Sequence, residues 1–435
     1  MRSEGKILKN DVLSLLAGLL GEDRECYLVG GAIRDALLGR PVSDFDFAMP
    51  RDPTELARSF AERCGGTWFF LDEERRQSRV VRREGEEEIT CDFAPFRSAD
   101  LPGDLRLRDF TVNALALRLG SEAGILDPLG GKDDLAAKRL RACSAGVFAD
   151  DPLRVLKGIR HAAVLGFDLE EATRELMASS AGALSGVAPE RLRAEMSAIF
   201  AVPDPISALD LLRDFDLDKF FFGPPGHHLG FRAAGRLLRR SQAVIESMPT
   251  LELLGEEIEG GLNRAALLRL AAFLGGYGRE ARDVFARRVR LGRKATAILR
   301  SLADLPVERA AEVEELAATR RGRALWAMEL GADVWMSLLF LAVLDRRAPA
   351  EIVPAIFDLF ADVANTQQDG RIPDLVDGDW IRRELGWSEG PAIGKALSRL
   401  RRQEIEGRVK SLAEARKFLK SLDQKMIDKK TGDPL

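Results

Sequence analysis

The first third of the chain alternates short, β-rich apolar runs with stretches of helical periodicity. Five runs are rich in β-branched and aromatic residues and are bounded by polar or glycine-containing segments, a pattern typical of strands. The predicted strands cover residues 27–29, 44–48, 67–71, 79–82 and 89–93, and the predicted helices cover 31–38 and 53–63. This order predicts an α+β domain with a mixed β-sheet over residues 1–145.

From about residue 150 the β-rich runs disappear and helical spacing takes over. Residues 152–165 place apolar side chains three and four apart, and Gly166 follows them as a helix stop. Later breaks in the pattern lie near 202–205 and 346–353. We therefore expect a long all-α remainder.

Composition narrows the classes of protein that remain. A chain of 435 residues is too long for one core, and a net charge of −4 argues against a wholly basic nucleic-acid coat protein while allowing local basic faces. Four scattered cysteines and three histidines predict no zinc site and no disulfide. The apolar run 334–344 is shorter than the about 20 residues that span a bilayer, so we expect no membrane segment and a cytoplasmic location.

A glycine pair followed by two carboxylates carries the first chemical signal. The strand at 27–29 runs into Gly30 and Gly31, and Asp44 and Asp46 follow the next helix. Because side chains alternate along a strand, the two carboxylates share a face and lie about 6.5 to 7 Å apart. Such a pair can bind one divalent ion or bridge two, and glycines let the backbone approach a phosphate beside a helix start. Metal and triphosphate together indicate nucleotidyl transfer.

A third carboxylate is available on a later predicted strand. Asp92 lies in the run 89–93, which we expect beside the strand that carries Asp44. Two-metal phosphoryl transfer uses carboxylates shared between ions about 3.5 to 4 Å apart. We therefore predict that Asp44, Asp46 and Asp92 bind two Mg²⁺ ions and are the catalytic residues. The alternative for Asp92 is an edge-strand carboxylate in water.

A compact polar block follows at residues 106–116. Arg108, Asp109 and Asn113 fall within about one turn of each other if a helix begins there. We expect them to hold the ribose and phosphates of a nucleotide. The alternative is structural, with Asp109 capping the helix and Arg108 paired with an acid.

The first all-helical segment opens with a second candidate pair. Asp151 and Arg154 are three residues apart and share a helix face. A carboxylate accepts from the exocyclic amine of a base while a guanidinium donates to the neighbouring ring nitrogen. Adenine and cytosine both present that edge, so the pair would select ATP and CTP. The alternative is an ordinary helix start, in which an acid caps the turn that begins with Pro152.

These blocks, taken in order, resemble the class II tRNA nucleotidyltransferases and bacterial poly(A) polymerases. The likeness covers residues 27–200, and a weaker one covers 386–415. It implies a catalytic head, a helical neck, a body and a tail, with tRNA lying along the last three. It also implies a nucleotide pocket between head and neck, where Asp151 and Arg154 read the base. The quoted blocks are Gly30-Gly-x-x-Arg-Asp35 with Asp44-x-Asp46, Arg108-Asp-Phe-Thr-Val-Asn-Ala114, Asp150-Asp-Pro-Leu-Arg154 with Arg160 and Leu165-Gly-Phe167, and Pro189-Glu-Arg-Leu-Arg-Ala-Glu195.

The resemblance implies transfer of C, of A, or of both to a tRNA 3′ end. The terminal hydroxyl would attack the α-phosphate of CTP or ATP, and pyrophosphate would leave. Gly30, Gly31 and Arg34 would cradle the triphosphate, and Asp35 and Arg160 belong to the same matched blocks and are expected at the nucleotide site. A poly(A) polymerase shares the head and neck and is the nearest alternative. A non-catalytic RNA-binding protein on this scaffold is the second.

Three departures from the family pattern bear on the exact activity. Leu107 replaces the first of two arginines, and Asp150 stands where the family usually has Glu. The segment 98–103 is short, whereas full CCA-adding members commonly carry a longer mobile loop there. Loss of that loop accompanies enzymes that add only the two cytidines, but short versions also occur in other branches. The sequence leaves CCA, CC and A addition open.

Basic side chains recur with helical spacing in the second half of the chain. For any one group the ordinary interpretation is a solvated helix face. Several such groups on an acidic chain favour a phosphate track, because lysine and arginine neutralise nucleic-acid phosphates. The residues expected to bind RNA are Arg287, Arg288, Arg293, Lys294, Lys395 and Arg399.

Overall fold

The computed structural model describes most of the chain as two compact units. The described residues are 11–21, 25–84, 87–121, 124–224, 230–248, 252–276, 279–303, 305, 333–354, 375–405 and 408–422. The first unit comprises Met1–Ile199 with Ser207–Asp218, and the second comprises Phe200–Ile206 with Lys219–Leu435. The four-part division into head, neck, body and tail stays a prediction.

A six-stranded mixed sheet forms the centre of the first unit. Its strand order is β3-β4-β5-β2-β1-β6; β2 and β5 are parallel, and the other neighbours are antiparallel. The strands are β1 (Tyr27–Val29), β2 (Asp44–Met49), β3 (Thr67–Asp72), β4 (Gln77–Glu84), β5 (Glu87–Pro95) and β6 (Ala116–Arg118). The predicted α+β class with a mixed sheet is confirmed.

The predicted strands differ from the observed ones mainly at their ends. All five are present, and most extend by one or two residues. Strand β6 was not predicted. Its three residues continue the buried run Thr111–Leu115, and only the last of them, Arg118, is exposed, so the sequence pattern was too short to distinguish this strand from other core segments.

The two faces of the sheet are packed differently. On the rear face α1 and α3 cover the sheet, and Phe47, Phe60 and Phe93 meet in one core. On the front face a smaller core covers only one part of the sheet, where Leu101 and Leu105 pack on β1 and the end of β2. The helices around the sheet are α1 (Asp11–Ala17), α2 (Gly31–Leu37), α3 (Thr54–Cys64), α4 (Leu101–Arg106) and α5 (Gly131–Ala136).

Helices follow the sheet, as the periodicity predicts. The helix predicted at 152–165 begins at Arg154 and ends at Gly166, whose φ of 65° is the left-handed conformation that favours glycine. The short strands β7 (Arg139–Leu140) and β8 (Asp168–Leu169) pair in parallel beside it. The helices are α6 (Val147–Asp150), α7 (Arg154–Leu165), α8 (Glu171–Ser180), α9 (Pro189–Ala201), α10 (Ile206–Asp214) and α11 (Leu217–Phe222).

Among its described residues, the second unit is built of helices with one short hairpin. Strands β9 (Glu257–Glu259) and β10 (Leu262–Asn263) interrupt the helices, although no β-rich signal was expected after residue 150; strands this short carry too little pattern to detect. None of the helices in the described ranges combines the length and hydropathy needed to cross a bilayer. The helices are α12 (Gly230–Glu246), α13 (Glu252–Gly255), α14 (Arg264–Gly275), α15 (Arg279–Arg288), α16 (Arg293–Ala303), α17 (Val334–Leu344), α18 (Gly378–Leu385), α19 (Pro391–Ile405) and α20 (Leu412–Ser421).

Candidate active site

The three predicted carboxylates lie together on the front face of the sheet. Asp46 of β2 is the register partner of Asp92 on the parallel strand β5, and Asp44 is the partner of Thr90. Neighbouring strands are about 4.8 Å apart, so register partners bring their side chains close. Asp44 also accepts a hydrogen bond from the Thr90 hydroxyl. We refer to Asp44, Asp46 and Asp92 as the carboxylate row.

The carboxylate row concentrates negative charge at a partly dehydrated position. Desolvation by the surrounding protein raises the pKa of Asp46, even though the residue retains solvent access. The positive charge of Arg108 opposes the shift, whereas the charges of Asp92 and Asp44 add to it. A bound cation would stabilise the ionised form of a carboxylate that neighbouring carboxylates destabilise.

Asp92 is not simply an edge carboxylate in water. Arg79 of β4 donates to both of its oxygens, from Nε at 2.6 Å and from Nη2 at 2.8 Å. Arg79 and Asp92 are register partners on antiparallel strands. The hydrogen bond to Asp92 is the largest of the effects that raise the pKa of Arg79. Sequence reasoning missed Arg79, although it belongs to a predicted strand next to Asp92.

The chemistry of the carboxylate row suits a hard divalent cation, because all its donors are oxygens. As the side chains stand, no group of three His, Cys, Asp or Glu within the described ranges is gathered tightly enough to hold an ion. The ion pair with Arg79 occupies both oxygens of Asp92. Each of these oxygens keeps a second lone pair, so Asp92 can bind a cation while it is paired with Arg79.

Gly30 brings the backbone against the carboxylate row. Its φ is +83°, and a Cβ atom there would lie 2.9 Å from Oδ2 of Asp46 and 3.2 Å from Nη1 of Arg108. Any side chain would therefore collide with both groups and strain the turn. The next residue, Gly31, begins α2. The structure thus brings Gly30, Asp46 and Arg108 together, as the sequence suggested.

Four other predicted residues form one hydrogen-bonded network. Arg34 donates from Nη1 to Oδ1 of Asn113 at 2.6 Å and forms two hydrogen bonds with Asp35, at 3.0 and 2.6 Å. Asn113 in turn donates to Asp109 at 3.0 Å. Arg34 is nearly buried. Its guanidinium is therefore oriented by protein groups before any phosphate arrives.

The block 106–116 is not a continuous helix. Thr111–Asn113 form a single 3-10 turn, and Asp109 accepts from the backbone N–H of Phe110 at 2.8 Å. Desolvation would raise the pKa of Asp109, but the hydrogen bond from Asn113, the charge of Lys157 and the backbone N–H of Phe110 favour its ionised form and lower the pKa overall. Burial lowers the pKa of the adjacent His161 to about 3, so that imidazole is neutral at physiological pH.

Arg108 pairs with an acid, as the structural alternative anticipated. Its Nη2 lies 3.5 Å from Oδ2 of the buried Asp104, which Arg97 also contacts at 2.9 Å. Asp100 caps α4 by accepting from the N–H of Gly103 at 2.8 Å. The short segment 98–103 therefore leads directly into α4, which Asp100 caps. Arg97 and Arg108 both contact Asp104 in the same helix.

The predicted base-reading pair is separately anchored. Asp151 accepts from Arg191 at 2.9 Å and from the backbone N–H of Leu153 at 3.2 Å. Arg154 donates to the carbonyls of Val147, at 3.1 Å, and Leu107, at 2.9 Å. Arg154 thus lies next to the Arg108 block. Arg191 belongs to the quoted Pro189–Glu195 block, but sequence reasoning assigned it no role.

Arg160 has a protein partner. It donates to Glu195 at 2.9 Å, and the Glu195 side chain is only 10% exposed. The pair connects α7 to α9 in this structure. Its predicted contact with a nucleotide stays a prediction.

A second acidic centre was missed by sequence reasoning. Asp134 is fully buried and accepts hydrogen bonds from Thr111, Arg139 and Arg141, each at 2.7 Å. Asp127 caps α5 by accepting from two backbone N–H groups. The run Gly130-Gly-Lys-Asp-Asp134 is compatible with a helix start. No feature of the neighbouring sequence indicates which arginines bind Asp134.

The predicted RNA-binding residues lie on exposed helix surfaces of the second unit. Arg287 and Arg288 end α15, Arg293 and Lys294 begin α16, and all four are exposed. Arg288 lies over the ring of Phe220 at 4.1 Å and donates to its carbonyl. Lys395 and Arg399 are exposed at adjacent turns of α19.

Comparison with known protein families places two matches on the chain. Residues 26–141 match the poly A polymerase head domain. Residues 166–229 match a domain described as the probable RNA and SrmB-binding site of polymerase A.

Two similar sequences cover most of the chain. One is the CC-adding tRNA nucleotidyltransferase of Geobacter sulfurreducens, with 34% identity over 90% of this chain and 91% of the relative. The other is the A-adding tRNA nucleotidyltransferase of Deinococcus radiodurans, with 33% identity over 90% of this chain and 94% of the relative.

Solved structures share the fold. A Thermotoga maritima CCA-adding enzyme complexed with tRNA matches 97% of this chain and 98% of its own, with a TM-score of 0.60 and 22% identity. A CCA-adding enzyme with ATP matches with a TM-score of 0.61 and 22% identity, covering 97% of this chain and 98% of its own.

Proposed function

The chain belongs to the family of tRNA nucleotidyltransferases, and from this premise we propose that it adds cytidines, but no terminal adenosine, to tRNA 3′ ends. The CC-adding relative from Geobacter sulfurreducens supports this choice, because its similarity runs over nearly the full length of both chains. The A-adding relative is almost as similar, so the choice of cytidine follows the CC-adding relative, and the segment 98–103 bears on whether both bases are added.

The observation that carries the proposal is how that segment is held. Asp100 caps α4, and Arg97 donates to the buried Asp104 from both its backbone N–H, at 3.1 Å, and its side chain, at 2.9 Å. A segment bonded in this way has no spare length with which to reshape a nucleotide site. An enzyme that switches from a pyrimidine to a purine needs such reshaping, so a fixed segment favours one base.

The carboxylate row would hold divalent metal, which we propose to be Mg²⁺. Bound ions would polarise the tRNA 3′-hydroxyl and steady the charge of the departing pyrophosphate. The 3′-oxygen forms a bond to the α-phosphorus of CTP, and the bond to the bridging oxygen of pyrophosphate breaks. The backbone at Gly30 lies close to both Asp46 and Arg108, and the positive charge of Arg108 would attract the triphosphate.

Base selection would depend on Asp151 and Arg154. Asp151 would accept from the exocyclic amine of cytosine, and Arg154 would donate to the neighbouring ring nitrogen. Uracil presents the opposite polarity and would leave both groups unpaired. Arg191 donates to Asp151 at 2.9 Å and would keep its carboxylate oriented.

The basic residues on α15, α16 and α19 would bind the phosphates of tRNA. Exposed arginine and lysine side chains supply such contacts without reading sequence. We also propose the boundaries 1–145, 146–205, 206–345 and 346–435 for head, neck, body and tail.

One experiment tests the activity. Purified protein is incubated with tRNA that ends at the discriminator base, at C or at CC, each with CTP alone, ATP alone and both. We expect two additions to the first substrate with CTP, one to the second, and no addition of A to the third. Addition of A to the CC end would contradict restriction to cytidine.

The same assay separates the alternatives. Long A homopolymers on any RNA would indicate a poly(A) polymerase. Absence of pyrophosphate release with every substrate, in the presence of Mg²⁺, would indicate a binding protein without catalysis.

A further inference from the structure

The front face of the sheet continues beyond the carboxylate row to its edge. Asp46 is the register partner of Asp92 on β5, and Asp92 is the register partner of Arg79 on β4. Arg79 is in turn the register partner of Phe69 on the edge strand β3. Residues directly opposite on neighbouring strands project from the same face. Phe69 therefore ends a row that begins at Asp46.

The edge strand exposes apolar side chains beside the carboxylate row. Phe69 is 42% exposed on this face, whereas Trp68 and Phe70 face the other side, where their ring centroids are 4.7 Å apart and Arg58 lies over Trp68. Leu71, which is 48% exposed, follows at an irregularity in the pairing of β3 with β4. A strand at a sheet edge ordinarily places polar side chains outward, because an exposed apolar edge invites association. Large apolar groups that continue an active-site face indicate a contact with something else.

The spacing relates this surface to the reacting end of a substrate. Three strand steps separate Phe69 from Asp46, or about 14 Å at ordinary strand spacing. Arg79 lies between them, bonded to Asp92 and still 37% exposed. A single-stranded RNA end whose terminal hydroxyl reaches the carboxylate row would pass the positive charge of Arg79 and then an aromatic ring.

We propose that Phe69, together with Leu71, is a stacking surface for a nucleobase just upstream of the 3′-terminal nucleotide of the RNA substrate. This inference rests on the proposed function, since it takes the carboxylate row as the reaction site. Stacking on an aromatic ring accepts any base, which suits a tRNA population with varied discriminator bases. Continuity with the carboxylate row and the charge of Arg79 favour RNA over a protein partner.

The first test uses binding without catalysis. A hairpin RNA that mimics an acceptor stem carries 2-aminopurine next to its 3′-terminal nucleotide, and its fluorescence is measured during titration with protein in the absence of CTP. We expect quenching by the wild type and by Phe69→Tyr, which keeps an aromatic ring. We expect the quench to disappear in Phe69→Ala and to persist in the control Leu38→Ala, which removes a comparably exposed apolar side chain elsewhere.

The second test separates binding from chemistry. Steady-state CTP incorporation into the hairpin should show KM for RNA raised about tenfold in Phe69→Ala, with kcat and KM for CTP unchanged. Phe69→Tyr should restore the wild-type KM. Equal RNA KM and equal quenching in the wild type and Phe69→Ala would overturn the stacking surface, as would a Phe69→Tyr variant that behaves like Phe69→Ala.

The two tests together separate this inference from the proposed function. Quenching that depends on Phe69 without any incorporation by the wild type would support the stacking surface and reject the activity. Cytidine addition that is indifferent to Phe69 would support the activity and reject the stacking surface.

Discussion

Asp46 and Asp134 are both acidic residues of the first unit, but their surroundings are opposite. Asp134 is fully buried, and its oxygens accept from Thr111, Arg139 and Arg141. Asp46 keeps solvent access and stands beside two further carboxylates. The same side chain therefore occurs in two different settings. The surroundings of Asp134 suit stabilisation of the fold, and those of Asp46 suit binding of a cation.

The pKa shifts of the two residues express this difference. Desolvation opposes ionisation of Asp134, but hydrogen bonds from Thr111, Arg141 and Arg139 lower its pKa overall. Desolvation raises the pKa of Asp46, and Asp92 and Asp44 raise it further against the effect of Arg108. The ionised form of Asp134 already has its donors within the protein. The ionised form of Asp46 would be stabilised by a cation from solution.

The largest expected effect is on catalysis. Asp46→Asn keeps the size of the side chain and removes the charge that would bind metal. We expect kcat for CTP incorporation to fall on the order of a thousandfold, measured in single-turnover assays. The melting temperature should stay the same or rise, because repulsion within the carboxylate row is relieved. Incorporation within tenfold of wild type would remove Asp46 from the metal site.

Asp134→Asn should show the reverse profile. It removes the buried carboxylate that Thr111, Arg139 and Arg141 bind, and although the two arginine side chains are themselves partly exposed, we expect a loss of about 2 kcal/mol in the free energy of unfolding of the first unit. Urea denaturation measures it. Where the protein is folded, CTP incorporation should remain near wild type. An unchanged free energy of unfolding would mean that the ion pairs of Asp134 with Arg139 and Arg141 make no net contribution to stability.

Acid titration of stability sharpens the same contrast. Because the folded-state pKa of Asp134 lies below its ordinary value of 3.8, its contribution is complete above that value and is lost as pH falls through the folded pKa. The pKa of Asp46 is raised, so its protonated form stabilises the fold, and that contribution disappears as pH rises through the folded pKa.

Urea midpoints from pH 3 to pH 7 provide the measurement. The destabilisation caused by Asp134→Asn should shrink toward the acid end. Asp46→Asn should stabilise most at neutral pH. A destabilisation by Asp134→Asn that is constant across this range would contradict the depressed pKa.

The smallest expected effect concerns Asp151, which lies between the two extremes. It has one arginine partner, Arg191, at 2.9 Å, and retains lone pairs for a base. Arg154→Ala should relax discrimination against UTP about tenfold, the value of one lost hydrogen-bond pair, with tRNA affinity nearly unchanged. Arg191→Gln should raise KM for CTP by less, and Arg191→Lys should restore part of it. Unchanged base preference in Arg154→Ala would reject its role as a reader.

Much of the candidate site could be predicted because its signals are local. The spacing of Asp44 and Asp46 places them on one strand face, and the glycine pair marks a turn that only residues without Cβ can make beside Asp46. The order of these strands along the chain could also be predicted from the apolar runs. Strand β6 was not predicted, because three residues are too few to establish an alternating pattern.

The partners of the site residues were not predictable in the same way. Arg79 and Asp92 meet through strand register, and Arg191 reaches Asp151 across 40 positions of sequence. The exposed side of Phe69 could not be read from an aromatic run in which every residue is apolar.

The sequence by itself determined the α+β head, the helical remainder, and the local spacing of the carboxylates, the glycines and the proposed base-reading pair. Those properties depend on the periods of strands and helices, which are properties of short segments. Only the tertiary structure decided that Arg79 holds Asp92, that Arg34 contacts Asn113 over 79 positions, and that Asp134 is buried among arginines. These contacts depend on which strands pair and in what register, and that choice follows from packing the whole sheet against its rear core.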